Sequence, residues 1–533
     1  MVVAGSILAM PASAKREGKP YFITCDGFLT PLPLKASGDT PQRFAFGRSV
    51  WPPIVPTVAY RAEGVAACDQ ALADPLLAPQ YWDRKLSLVQ ARAIHLLAAK
   101  KSREALDAFD AVAKLSGFTS SLGQGNNVLR AIAFYQMSKP FEADALLMKA
   151  AAARPYARNM RKAIHSVRLT FEQSAEKREQ ALRDEVVLNP GFLRMLFYRA
   201  IADGRLEQAL VYGNQVSFDL PRNRSGWSLE GIETRNYDLI RDRASMSGAR
   251  AYALSGLGRG EASTTELADA RREISEAVAP PAEPKDMEFI GKTKRRDWEK
   301  RVAAGEEAEK ALGEWEAAIA YRTKAARLTP MELAEAADRP KGEAVIATGD
   351  LLRLTGGTSE QDKAMREAGR KVIQAEIDKM IATSLKLTYS SIASDLPGLE
   401  NGKPKMRGEG SNFWRTDMEG YAIVKADDPA LFNVRFGGLS ARANALSEAA
   451  LLVAADEAMR RGFDALVIES SLAVDRFTIV NNGPKIPSGT EVRMLVRPVR
   501  QGALPASLAG GEWRVLKVTD IRAQLAAKYP PQS

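Results

Sequence analysis

Two histidines, two cysteines and many carboxylates are the residues of this 533-residue chain best equipped for chemistry. Their spacing argues against most of it. His95 and His165 each fall inside a run with helical periodicity, where a buried structural histidine is the ordinary outcome. With these two as the whole supply, a three-histidine metal centre is impossible, and no H-E-x-x-H pair occurs. Cys25 and Cys68 are too few and too isolated for a structural zinc centre. No G-x-S-x-G elbow exposes a serine, and no glycine fingerprint ends a strand and opens a helix. The Gly356-Gly357 pair in "RLTGGTSEQ" lacks the lysine of a phosphate loop. Two carboxyl groups suffice to cleave a glycan. Glu409 and Asp417 stand out for bordering a glycine-rich loop and aromatic residues, so a cell-wall hydrolase using them is the enzymatic alternative. The leading expectation is a chain with no catalytic residue, no metal and no cofactor.

The cysteines bear on compartment instead. The chain begins "MVVAGSILAMPASAK", an apolar run followed by Ala12-Ser13-Ala14 just before Lys15 and Arg16. That is the hydrophobic core and small-residue exit of an export leader over residues 1–14. No basic residue precedes the run, so either the true start lies upstream or the segment is a buried strand. Export would place Cys25 and Cys68 where a disulfide persists, tying an N-terminal extension (15–60) onto the first helices. The alternative is two buried thiols that never meet. Charged residues in "KREGKPYFITC" separate Cys25 from the apolar run, which argues against a lipid anchor there.

Formal charge is +10, but the basic residues are interspersed with acidic ones. The densest run, "GKTKRRDWEKR", merges into an acidic helix and reads as a solvated face, so no nucleic-acid partner is expected. A peripheral binder of anionic envelope polymers is the alternative that the net charge keeps open. No stretch after residue 14 is long and apolar enough to span a bilayer.

The elements that would position any site are mostly helical. From 61 to 280 the chain is alanine-rich, with apolar residues at helical spacing and short breaks. Ala105 is followed four residues later by Phe109, and Ala143 by Leu147; Ala209 lies in a third such run. Pro155, Pro190 and Pro221 end successive runs at intervals of 35 and 31 residues. A small residue lets two antiparallel helices approach, a large one on the same face plugs the next pair, and proline cannot continue the preceding helix. Breaks at Ser102, Lys139-Pro140 and Asp203-Gly204 are the expected turns. The unit between Pro155 and Pro190 fits poorly, with only Ala175 near the expected place, and a fifth unit covers "GARAYALSGLGRGEASTTELADARREISEAV".

This pattern resembles the tetratricopeptide repeat; a generic antiparallel helical bundle with accidental spacing is the alternative. The resemblance implies an α-α superhelix whose concave groove holds a protein or peptide partner. A long-helix segment (281–393) follows, with Leu312, Trp315 and Ile319 on one stripe able to pack against the end of the array. Residues 394–413 read as a linker.

Residues 414–533 change character and read as a small α+β domain. "ALFNVRFGG" is a strand, and "SARANALSEAALLVAADEAMRRG" a helix that Ser440 can cap and Gly462 end. "FDALVIESS", "DRFTIV", "EVRMLVRPV" and "GEWRVLKVTD" are strand candidates, and "DIRAQLAAKY" a closing helix. In "EVRMLVRPV", Val492, Met494 and Val496 share one face and Arg493, Leu495 and Arg497 the other. Arg435-Phe436-Gly437, then Leu451, Leu452, Ala454 and Ala455, then Arg461-Gly462-Phe463-Asp464 ahead of the strand 465–468 resemble a family of small bacterial envelope lipoproteins of unknown activity. Those proteins carry an anchor cysteine close to the N-terminus, whereas here the domain follows some four hundred residues of other sequence. The resemblance implies an envelope location, the periplasm, and no catalytic residue. The expectation is therefore a multidomain, mainly α scaffold or adaptor for a protein or peptide partner.

Overall fold

The computed structural model describes residues 20–27, 43–44, 47–48, 58–75, 77, 82–115, 118–171, 174–218, 238–280, 291–385, 388–389, 392–393, 396, 404–408, 419–438, 441, 443–478 and 486–531. The expected leader (1–14), Pro221, Glu409, Asp417, Ser440 and most of the expected linker lie outside the described residues. The chain is multidomain and mainly α: stacked helix pairs, a long-helix segment, and a small sheet flanked by helices.

Among the described residues, five antiparallel helix pairs form the array. They are α3 (Trp82–Ala98) with α4 (Ser102–Ala113), α5 (Ser120–Gln136) with α6 (Pro140–Ala153), and α7 (Arg158–Phe171) with α8 (Ala175–Val186). They continue with α9 (Leu193–Ala202) and α10 (Leu206–Gly213), then α11 (Asp238–Gly256) and α12 (Gly260–Val278). Two shorter helices, α1 (Pro20–Asp26) and α2 (Glu63–Leu72), precede them.

Four of these pairs turn in the same way. One residue takes positive φ: Lys100 at 59°, Ser138 at 58°, Gly204 at 69° and Gly258 at 75°. The next residue is basic (Lys101, Lys139, Arg205 or Arg259), and its N–H donates back to the carbonyl of Leu96, Phe134, Ala200 or Leu254 at 2.8 to 2.9 Å. This six-to-one closure satisfies a carbonyl left over at the helix end. Four residues further on stand Ala105, Ala143, Ala209 and Ser263, all buried. A small side chain at this point lets the two helices close on one another. Ser263 fits because its hydroxyl donates across the pair to the Ala251 carbonyl at 2.8 Å. One turn later Phe109 and Leu147 are fully buried; Gly213 takes that place in α10, where the Phe197 ring lies so close that a Cβ would sit 2.9 Å from it. Burying a side chain such as Phe109 contributes about 1.5–3 kcal/mol. In the pair α7/α8, whose sequence fits the pattern least, the Ser174 hydroxyl caps α8 by accepting the Lys177 N–H at 3.4 Å, and Ala175 opens the helix. Pro155 lies in the turn between α6 and α7, and Pro190 opens a single 3-10 turn before α9.

α13 (Gly291–Lys324) is one continuous helix. It buries Leu312 and Trp315 against α11 and α12, and Trp315 donates its indole N–H to the Ser245 hydroxyl at 3.0 Å. α14 (Pro330–Glu335) and α15 (Thr348–Leu354) lead to α16 (Glu360–Leu385), which buries Ile373 and Ile377 in the core built by α9 and α11.

In the C-terminal domain, β1 (Gly420–Lys425), β2 (Phe432–Gly438), β3 (Ala465–Thr478), β4 (Ile486–Val499) and β5 (Leu516–Lys517) form an antiparallel sheet in the order β1-β2-β4-β3-β5. β2 and β3 both pair antiparallel with β4, so they run parallel to each other with β4 between them. α17 (Ala443–Arg460) covers the face carrying Phe432, Val434, Phe436, Val492, Met494 and Val496, and α18 (Val518–Leu525) packs beside it. Two expectations are corrected. Most of "FDALVIESS" and residues 475–478 of "DRFTIV" belong to one strand, Ala465–Thr478, whose register shifts between Ile468 and Ser470. "GEWRVLKVTD" gives a 3-10 turn at Glu512–Arg514 and only two strand residues, because Arg514 is drawn beneath the sheet to the Ile468 carbonyl.

The close approach at the small residues is directly testable. Ala143→Leu overpacks the α5/α6 contact and lowers stability by about 1–3 kcal/mol in denaturant unfolding, whereas Ala152→Leu, on the exposed side of α6, leaves it within about 0.5 kcal/mol. Equal effects would refute this packing.

Candidate functional site

The residues with chemical potential are used for architecture. Cys25 and Cys68 are bonded to each other, closing a separation of 43 residues and tying α1 to α2. Asp26 beside them receives the buried Arg84 guanidinium and the Ser87 hydroxyl. His95 is buried on α3. Its Nδ1 accepts the Arg61 N–H at 3.0 Å, and its Nε2 donates to the Cys25 carbonyl at 3.0 Å. Gly64 permits this, since a Cβ there would fall 1.9 Å from the ring. His95 is thus the clasp between the disulfide and the first array helix.

His165 on α7 lies 3.6 Å from Glu185 on α8, both 1% exposed. Burial, then the charges of Arg161 and Arg168, hold the imidazole well below its usual value. Burial pushes the Glu185 carboxyl up to about 8, against the pull of Arg158, Arg161 and Lys162. Burial thus disfavours charge on both members of the pair. Among the described residues, no group of three or more His, Cys, Asp or Glu is placed to hold a metal ion, and no helix is long and apolar enough to cross a membrane.

The C-terminal domain is locked onto the array by a buried charge cluster. Arg154, just after α6, donates from Nε and Nη2 to Glu448 on α17 at 3.1 and 2.7 Å. Lys528 and the Tyr529 hydroxyl reach the same carboxylate. Burial opposes the Glu448 charge, but Arg154 and Lys528 outweigh it and hold the carboxyl below its ordinary value. Asn444 accepts the Met160 N–H at 3.0 Å, and Arg158 donates to the Ser471 carbonyl at 3.0 Å. No sequence signal marked Arg154 or Glu448, since isolated charges in alanine-rich helices ordinarily face water.

The resemblance implies a concave groove, and in the structure the chain itself covers much of that side. The first helices of the pairs, α3, α5, α7 and α9, form a side that the chain covers with α16, with α17 and with Tyr389, Ile392 and Leu396. The reason is physical: α16 must bury Ile373 and Ile377, and the array supplies the apolar surface. One part stays open. A cleft of about 520 Å³ lies between Tyr60, Ile132, Val167 and Phe171 on the array side and Tyr389 and Ile392 on the other. Phe171 stacks on Tyr135 with centroids 5.0 Å apart, and burial pushes the Tyr60 hydroxyl up to about 12. Three anchors at positions i, i+3 and i+7 ahead of a glycine-rich stretch were the signal that sequence reading passed over.

Two other clefts open among the described residues. One of about 640 Å³ lies between α14 and α16, with Leu333 and Val372 in its walls. One of about 300 Å³ lies where α10 and α11 meet the C-terminal domain, and Arg497 in its wall pairs with Glu469 and Asp428. Comparison with protein families, with curated proteins and with solved structures finds no match to this chain.

Two measurements check the electrostatics. Glu448→Gln leaves Arg154 buried beside a neutral partner and lowers stability by about 3–5 kcal/mol in chemical denaturation; a loss under about 1 kcal/mol would contradict the lock. The folded chain keeps the Glu185 proton to about pH 8 while the unfolded chain releases it near 4.5, so this group costs stability progressively as pH rises between the two. Glu185→Gln therefore gains Tm relative to wild type from pH 5 to pH 8, and a pH-independent difference would refute the assignment.

Proposed function

We propose that this chain is a non-catalytic scaffold of the tetratricopeptide kind. It captures a protein or peptide partner on the side formed by α3, α5 and α7, with no cofactor. The carrying observation is the open apolar cleft beside Tyr60 and Phe171, which Tyr389 and Ile392 help to line. Such a cleft, walled by aromatic and aliphatic side chains with few polar groups, is the chemistry of peptide anchors. The recurring turn and small-residue contact support the repeat reading, because they give the hairpins one shared geometry. The C-terminal domain acts as a brace, held by Arg154 and Glu448. A place outside the cytoplasm, in the periplasm, is supported by the buried Cys25–Cys68 bond, since such bonds persist in oxidising compartments.

A photoreactive phenylalanine analogue at position 171 tests the reading in the native envelope. It yields discrete protein adducts, while the same group at Lys363, exposed on α16, does not. Equal labelling at both positions, or none at 171, would overturn the assignment of this face.

A further inference from the structure

The seat beside the cleft already holds part of the chain. Tyr389 receives the Gln136 side-chain N–H at 2.8 Å and donates its hydroxyl to the Leu97 carbonyl at 3.3 Å. Gln136 is held in orientation by the Ser102 hydroxyl, which donates to its Oε1 at 2.7 Å. Leu396 is buried in the core of α3, α5 and α7, and Ile392 packs against the same core. The Ile392 N–H donates to the Thr388 carbonyl at 2.9 Å and the Leu396 N–H to the Ile392 carbonyl at 3.1 Å, both spanning four residues as in an α-helix. With that geometry Tyr389, Ile392 and Leu396 share one face, the anchor spacing of an amphipathic helix laid in a groove.

Two observations make this more than ordinary core. Tyr389 and Ile392 are only partly buried, and both border the 520 Å³ cleft, so the seat is larger than what fills it. The contact is also specified by a polar handle, a phenol read by an oriented amide and a backbone carbonyl, and not by apolar area alone. We propose, building on the scaffold reading above, that Tyr389, Ile392 and Leu396 are a tethered internal ligand. The external partner is a helical peptide with the same three anchors: a tyrosine, then aliphatic residues three and seven positions later. It displaces the internal set and extends into the cleft with its flanking side chains. α16 ends at Leu385, four residues before Tyr389, so the internal anchors compete at the high effective concentration of a short tether. The cost to an outside peptide is the fraction of molecules in which the seat is vacant.

The test uses a fluorescent synthetic peptide spanning 386–398 and the full-length chain, read by anisotropy. Tyr389→Ala/Ile392→Ala/Leu396→Ala empties the seat and binds the peptide at least tenfold more tightly than wild type, and a peptide with Tyr389→Phe binds this variant more weakly. The single variant Tyr389→Ala, which keeps both aliphatic anchors, carries the same comparison if the triple variant fails to fold, with a smaller gain in the same direction. Equal affinity for wild type and a folded variant overturns the internal ligand while leaving the scaffold reading intact. No binding to a folded variant overturns both.

Discussion

Everything in this molecule rests on how closely two helices of one hairpin approach each other. The approach is set by a turn that places one residue in the left-handed region and returns the next N–H to the helix it has just left. Lys100 and Ser138 accept that conformation without being glycine, at roughly 1–2 kcal/mol each, because the following contact at Ala105 or Ala143 is worth keeping. A hairpin so closed has one apolar side left over. Stacking buries part of it on the next hairpin, and the rest must find other cover.

The cover comes from the chain itself. α16 and α17 lie against the first helices, and the residues that settle the arrangement are charged: Arg154 after α6, Glu448 on α17, and Lys528 with Tyr529 at the close of the domain. A buried pair of this kind adds little net stability over apolar packing but penalises any other arrangement, since either partner alone would be left without its counter-charge. It therefore specifies where the C-terminal domain sits. The same economy explains the histidines. His95 clasps the disulfide, while His165 faces Glu185 where burial disfavours charge on both.

Much of the local structure was readable in the residues. Ala105 with Phe109, Ala143 with Leu147, and Ala209 mark helix pairs because the requirement for a small residue at a close contact is local and repeats. The face of β4 was legible from the alternation of Val492, Met494 and Val496 with Arg493, Leu495 and Arg497. The poorly fitting pair between Pro155 and Pro190 still forms, packed against its neighbours on both sides. What stayed hidden was long-range. Nothing near Arg154 announces Glu448 almost three hundred positions away, and nothing in Gln136 announces Tyr389. The number of strands after β2 was misjudged for a related reason: the register shift between Ile468 and Ser470 and the inward pull on Arg514 are decided by partners on other strands and on the array.

The most direct measurement is hydrogen exchange resolved to single amides in the four recurring turns. The N–H groups of Lys101, Lys139, Arg205 and Arg259 each donate to a carbonyl five residues back, so the account predicts strong protection at all four, comparable to the helices they join. Exchange at these amides as fast as in an unstructured chain would mean that the hairpins do not close in this way, and the array with the seat on its side would have no foundation.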